Sequence, residues 1–195
     1  MRWFIVVVVA FVVLISLYLG SAVFSISQLV EAARAGDGAA VIARTNVKAL
    51  NRSLTYQIVG AYLQRIGATR RISPAERMLV NTYGASIADA MVSKMLTADR
   101  LTRILKSGSF DGSEKIPSFS GIAALANLRT DDILGLIGRL NIVKPVLLSI
   151  RLSESTDPDS YAAISMHYEG LDWKLAGIDL PRAVVRDLAA SLPVR

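Results

Sequence analysis

Cysteine is absent from this chain, and histidine occurs once, at His167, in 195 residues. The first absence removes disulfides, thiolate nucleophiles and cysteine-ligated zinc or iron–sulfur centres together. The second leaves carboxylates as almost the only side chains that could hold a metal, so no cofactor is expected. Aromatic residues are sparse, at 7%, and the 22 Lys and Arg are interleaved with 16 Asp and Glu rather than gathered into a basic stripe, which argues against a nucleic-acid platform. No phosphate loop or dinucleotide fingerprint occurs, because Gly36-Asp37-Gly38 is too short and follows a predicted helix instead of a strand. Charge is missing altogether over the twenty-two residues from Trp3 to Phe24, which only Met1 and Arg2 precede.

That apolar run would extend about 33 Å as a helix, enough to cross a hydrocarbon core of about 30 Å. Two readings compete. Gly20, Ser21 and Ala22 put small residues where a signal peptidase would need them. An uncleaved anchor is favoured, since the stretch from Phe4 to Leu19 is rich in Val, Ile and Phe and continues through Val23, Phe24 and Ile26. Arg2 on one side nearly balances Arg34 and Arg44 on the other, so the usual fate of a very N-terminal anchor sets the orientation, with the N-terminus cytoplasmic and the domain outside. For a bacterial inner membrane this means a single-pass protein with its domain in the periplasm. The expected layout is a transmembrane signal anchor over 1–24 and one α+β domain over 25–195. That domain divides into a helical part (25–107), a loop (108–120) and a sheet-containing part (121–195). Without Arg2 its net charge is about +5, which reads as a solvated basic surface and suits anionic headgroups better than nucleic acid.

Ser25 to Ala35 reads as a helix that stops at Gly36-Asp37-Gly38, and a short helix follows from Ala39 to Arg44. After the cap Thr45-Asn46, a longer amphipathic helix carries Val47, Leu50, Leu54, Ile58 and Ala61 or Tyr62 on one face. Ser73-Pro74-Ala75-Glu76 is a capping box, and the helix it opens is expected to turn Val80, Tyr83, Ile87, Met91 and Met95 inward as core, ending near Leu96. Thr97-Ala98-Asp99 begins another helix to Leu105. Glycines and serines between Lys106 and Ser120 mark a connector, Ile122 to Leu128 is apolar without a clear period, and Thr130-Asp131-Asp132 starts a short helix to Leu140.

After Pro145 the period becomes alternating. Val146, Leu148, Ile150 and Leu152 share a face, and strands from Tyr161 to Tyr168 and from Trp173 to Asp179 follow across turns at 156–159 and 169–172. Pro181 opens a terminal helix with Val184, Val185, Leu188 and Leu192 apolar. The fold class is therefore α+β, a three-stranded antiparallel meander packed on helices.

No residue set reaches a catalytic signature, so no enzyme is expected. His167 as a base would need Ser165, two positions away on the same strand face, and an orienting acid, without any nucleophile-elbow motif; a structural histidine is the better reading. Asp157 and Asp159 lack the glycine and closing Glu of a calcium loop and read as a turn. Asp131-Asp132 reads as charge at a helix N-terminus. Trp173 could line a cleft between sheet and helices with Tyr161 and Met166 as neighbours, although a strand tryptophan is usually core.

Several patterns, namely Leu29-x-x-Ala32-Ala33-x-x-Gly36-Asp37, Ala49-Leu50-x-x-Ser53-Leu54, Leu96-Thr97-Ala98-Asp99-x-Leu101 and Trp173-Lys174-Leu175-Ala176-Gly177-Ile178-Asp179-Leu180-Pro181, resemble a bacterial family known only as domain of unknown function 2939. The resemblance extends over most of the chain and is most specific in the last of these patterns. It implies a membrane-anchored envelope protein of α+β type and brings no activity or catalytic residues. Where that family tends to carry an Asp before the third helix and an Arg within it, this chain has Asn46 and Asn51, so a charged pair there is expected to be lost. The expected role is a non-enzymatic interaction or scaffold module with an envelope protein as partner. The alternative is a binding module for a lipid or other small hydrophobic ligand in a helix–sheet cleft, which an interior fully filled by side chains would end.

Overall fold

In the computed structural model, which describes residues 2–69, 71, 73–107, 135, 138–152, 157 and 159–190, the apolar run and the helix after it form one rod. Helix α1, Arg2–Arg34, has 33 residues and no break at the expected boundary of anchor and domain. Its length is about 50 Å. Residues 2–17 are exposed all round, and from Tyr18 onward one face turns inward until Ala22, Ile26, Leu29, Val30 and Ala33 are buried. The rod ends in a Schellman turn: Gly36, at φ +66°, donates its N–H to Ala33 O at 3.1 Å, and Asp37 donates to Ala32 O at 3.0 Å. Asp37 then caps α2, Gly38–Ala43, its Oδ1 accepting the Ala40 N–H at 2.9 Å.

Asn46 opens α3, Val47–Thr69, its Oδ1 accepting the Ala49 N–H at 2.9 Å. The apolar stripe lies as its spacing predicts, with Leu50, Leu54 and Ile58 buried and Val47, Ala61 and Tyr62 packed partly against the core. Both halves of the capping box form before α4, Pro74–Leu79: Ser73 N–H donates to Glu76 Oε2 at 3.0 Å and Glu76 N–H to Ser73 Oγ at 3.2 Å. A π-turn over Val80–Gly84 joins α4 to α5, Ala85–Met95, and α6, Ala98–Ser107, follows.

The expected inward row on this helix needs correction. Tyr83 and Ile87 are exposed, Val80, Met91 and Met95 are half-buried, and the buried positions are Ala88 and Val92. The π-turn is the reason. It holds one residue more than an α-turn and sets every later side chain back by about 100° around the axis, so the inward row shifts by one position.

Among the described residues the sheet has four strands instead of three: β1 (Leu140–Lys144), β2 (Leu147–Arg151), β3 (Ala163–Glu169) and β4 (Asp172–Asp179), an antiparallel meander in chain order. The additional strand is β1. Gly135, Gly138 and Arg139 are helical and the strand begins at Leu140, while the expected helix start at 130–132, the connector 108–120 and the 122–128 segment lie outside the described residues. One half-buried and four exposed residues give β1 no alternation to read.

β4 carries a bulge at Ala176, because Met166 pairs with Leu175 while Ser165 pairs with Gly177. Its core face therefore runs Trp173, Leu175, Ile178, Leu180 and leaves Asp179 exposed. The last helix, α7, spans Arg182–Ala190 and buries Val184, Val185, Leu188 and Ala189; Leu192 lies outside the described residues. Helices α1 and α3 pack on β4, and Leu29, Leu54, Ile58, Leu148, Ile150, Ile164 and Met166 fill the space between helices and sheet.

Candidate functional site at the foot of the first helix

Trp173, one residue into β4, is where the rod meets the sheet. The indole is 2% exposed, and its Nε1–H donates to Ser21 Oγ on α1 at 3.1 Å. Ser21 in turn donates to the Tyr18 carbonyl at 2.8 Å. The Tyr18 ring meets Trp173 edge-on at 5.2 Å and 72°, and Tyr168 stands on β3 opposite, also at 5.2 Å. The Tyr18 hydroxyl donates to the carbonyl of Pro145 in the β1–β2 turn. Three aromatic rings and two hydrogen bonds thus lock the last turns of the apolar run to one end of the sheet.

The other edge of this junction is stitched by backbone. The segment after α2 adds a parallel bridge to β4, Thr45 against Leu175, with Asn46 N–H donating to Leu175 O at 2.8 Å and Leu175 N–H to Arg44 O at 3.0 Å. Between α1, this segment and β4 opens a groove of about 260 Å³, lined among others by Phe24, Gln28, Arg44, Asp172, Trp173 and Lys174. Arg44 is held in place there, donating to Gln28 Oε1 from Nη2 at 2.8 Å and from Nε at 3.2 Å. Phe24 is largely exposed and supplies apolar surface beside two cations and one carboxylate. The groove can therefore accept an amphipathic group, with its apolar part on Phe24 and a negative group between Arg44 and Lys174.

Of the three residues expected to form a cleft, Trp173 lines this groove. Met166 is fully buried on β3, between Leu148 and Leu175, and Tyr161 lies half-buried ahead of β3; neither lines it. The residues that sequence reasoning missed are Tyr18, Ser21 and Phe24. A signal existed in the first two, hydroxyl side chains near the end of an otherwise apolar run, but small size at Ser21 reads equally well as a cleavage site.

Asn46 and Asn51 are engaged separately. Asn46 Nδ2 donates to Glu169 Oε2 at 2.8 Å and ties α3 to the β3–β4 turn. Asn51 Nδ2 donates to Asp89 Oδ1 and to Ser93 Oγ, both at 2.8 Å, joining α3 to α5. His167 stands opposite Leu147 and Lys174, and Ser165 opposite Ser149 and Gly177, so no carboxylate faces the histidine across either register. Asp157 accepts backbone N–H groups from Ser160 and Tyr161 at 3.0 and 2.8 Å, and Asp159 pairs with Arg186 at 3.4 Å, which makes this segment a turn tied to α7.

The class these features define is an α+β domain built on the inner half of a long N-terminal helix whose outer half is bare and apolar. Residues 11–104 match the model of a family described as Protein of unknown function (DUF2939), which bears out the resemblance read from the sequence. The match runs from Phe11, in the exposed half of α1, to Ile104 in α6 and stops before the sheet, so it takes in just under half of the chain instead of most of it, and the Trp173–Pro181 pattern lies outside it. No curated protein and no solved structure matches the chain.

Proposed function

We propose that this chain is a single-pass protein of the bacterial inner membrane, held by α1 with its N-terminus in the cytoplasm, and that its periplasmic domain is a non-enzymatic interaction module. One observation carries the reading. The same uninterrupted helix is bare from residue 2 to 17 and core-forming from Ala22 to Ala33. Helix α1 as a whole is long and apolar enough to span a bilayer by length and composition. The inner half supports an uncleaved anchor over a signal peptide, because cleavage at Gly20-Ser21-Ala22 would remove Tyr18 from Trp173 and leave the domain without the start of its central helix.

The groove beside Trp173 is the surface this reading offers to a partner. Side chains fill the helix–sheet interior, which goes against the second reading of a hydrophobic ligand held in a helix–sheet cleft and leaves this open groove as the remaining place for a lipid. Native mass spectrometry of the protein extracted from membranes in mild detergent tests both. A full-length mass, bare or shared with a second protein, supports the interaction module. Added mass of lipid size that survives activation favours the ligand reading. A mass short by the first 22 residues overturns the anchor.

A further inference from the structure

Fifteen residues, Trp3 to Leu17, separate the charge of Arg2 from Tyr18, the first residue of α1 that the domain touches. As an upright helix they cover about 22 Å, and a hydrocarbon core is about 30 Å. About 8 Å is missing, close to five more residues, and tilting the helix increases the shortfall. Those next residues are Tyr18 to Ala22, of which Tyr18 and Ser21 are already engaged by Trp173 and the Pro145 carbonyl and Ala22 is buried. A bilayer that covers the helix, or one that thins to meet it, therefore reaches the domain itself.

The part of the domain it reaches is the end of the sheet that holds both hairpin turns. Pro145-Val146 joins β1 to β2 and Gly170-Leu171 joins β3 to β4, and Tyr168 N–H donates to Val146 O at 2.9 Å, which sets the two turns side by side. Leu171 is 86% exposed at its tip, and Val143 and Val146 are exposed at the other. Gly170, at φ +71°, takes the left-handed conformation that the first central position of a type II′ turn requires and so presents Leu171 outward. Tyr18 and Tyr168 lie just behind, half-buried against Trp173, as amphipathic rings that suit a headgroup layer. Lys144 and Lys174 flank the turns with stems long enough to reach lipid phosphates, and Glu169 and Asp172 share the end, Glu169 being bonded to Asn46.

We infer that the two hairpin turns, through Leu171, Val146 and Val143, are seated in the interfacial layer of the lipid bilayer beside the anchor. This rests on the reading of α1 as a membrane-spanning helix. The absence of cysteine makes the test direct, since single cysteines can be introduced and spin-labelled without background. Labels at Val9→Cys, Val146→Cys, Leu171→Cys and Arg186→Cys are placed in the full chain, reconstituted in phosphatidylcholine–phosphatidylglycerol vesicles. Collisions with oxygen are then compared with collisions with a water-soluble nickel complex. The oxygen-to-nickel ratio is expected to be highest at position 9, and at 146 and 171 several-fold above that at 186. Ratios at 146 and 171 equal to that at 186, with 9 still deep, overturn the inference and leave the anchor standing. A low ratio at 9 as well overturns both. Protection of 146 and 171 in native membranes but not in vesicles that hold no other protein assigns the turns to a protein partner instead and also overturns it. All four positions are on exposed surface, so the labels do not test folding.

Discussion

Adding the same methyl group to two glycines should move this protein in opposite directions. At Gly38, the start of α2, a Cβ would lie 2.2 Å from the Ala98 carbonyl oxygen and 2.6 Å from the Thr102 nitrogen. Both are backbone atoms of the start of α6, so no side chain can swing aside. The two helices must separate by about 1 Å, and overpacking of this kind costs about 1–3 kcal/mol. Separation also stretches the hydrogen bond from Gly38 N–H to Thr102 Oγ1, now 2.9 Å, and forfeits about 1 kcal/mol more. Gly38→Ala is thus expected to lose about 2–4 kcal/mol, or roughly 4–16 °C of melting temperature for a chain of this size. Gly60 sits inside α3 with nothing within 4 Å of its would-be Cβ. There alanine gains about 0.5–1 kcal/mol from lower unfolded-state entropy and better helix propensity. Thermal unfolding of the full chain in one detergent, followed by circular dichroism at 222 nm, compares the two variants with the parent. A Gly38→Ala variant that melts with the parent refutes the close α2–α6 approach, and a destabilised Gly60→Ala variant refutes the open environment along α3.

Ser21→Ala removes the acceptor of the Trp173 indole N–H and is expected to cost about 1–3 kcal/mol; in a Trp3→Phe background, Trp173 is the sole indole and its fluorescence reports the junction directly. Asn51→Asp replaces two donated hydrogen bonds by a carboxylate facing Asp89, so stability should fall by about 1–3 kcal/mol at neutral pH. It should return as pH drops through the raised pKa of that pair, read as urea midpoints against pH. Desolvation by the neighbouring chain raises the Asp179 carboxyl above the usual carboxylate range, although much of the side chain still meets water. The folded state therefore holds this proton more tightly than the unfolded one, and stability declines as pH rises from the ordinary carboxylate value to the raised one. Asp179→Asn should be slightly more stable than the parent at neutral pH and converge with it in acid; a variant that tracks the parent at every pH contradicts the shift.

Much of the architecture was legible because each signal was local. Ser73-Pro74-Ala75-Glu76 gave the start of α4, the 50-54-58 spacing gave the buried face of α3, and alternation after Pro145 gave three of the four strands. The misplaced inward row of α5 has one physical cause, a single extra residue in a periodic element, supplied by the π-turn at Val80–Gly84. The bulge at Ala176 in β4 is the same kind of insertion in a strand. Gly84 and Gly177 stand beside these irregularities, but a glycine inside a helical or alternating pattern does not say which way the period shifts. The site was half legible. Trp173 stood out, but the acceptor of its indole N–H comes from α1, 152 positions away, and strand periodicity reports that a side chain is covered without reporting by what.

The unbroken course of α1 through Leu17 and Tyr18 into Ala22 and Ile26 has a mechanical consequence. A domain on a flexible tether samples every orientation above its membrane, whereas on the anchored reading proposed above this one has no joint, and the tilt and rotation of the helix would be transmitted to it degree for degree. At a tilt of about 20° for the rod, the groove beside Arg44 and Lys174 would keep a fixed height and a fixed bearing. A partner in the same membrane would then search in two dimensions and about one axis of rotation, which replaces most of the orientational entropy of an encounter by geometry already set in the helix.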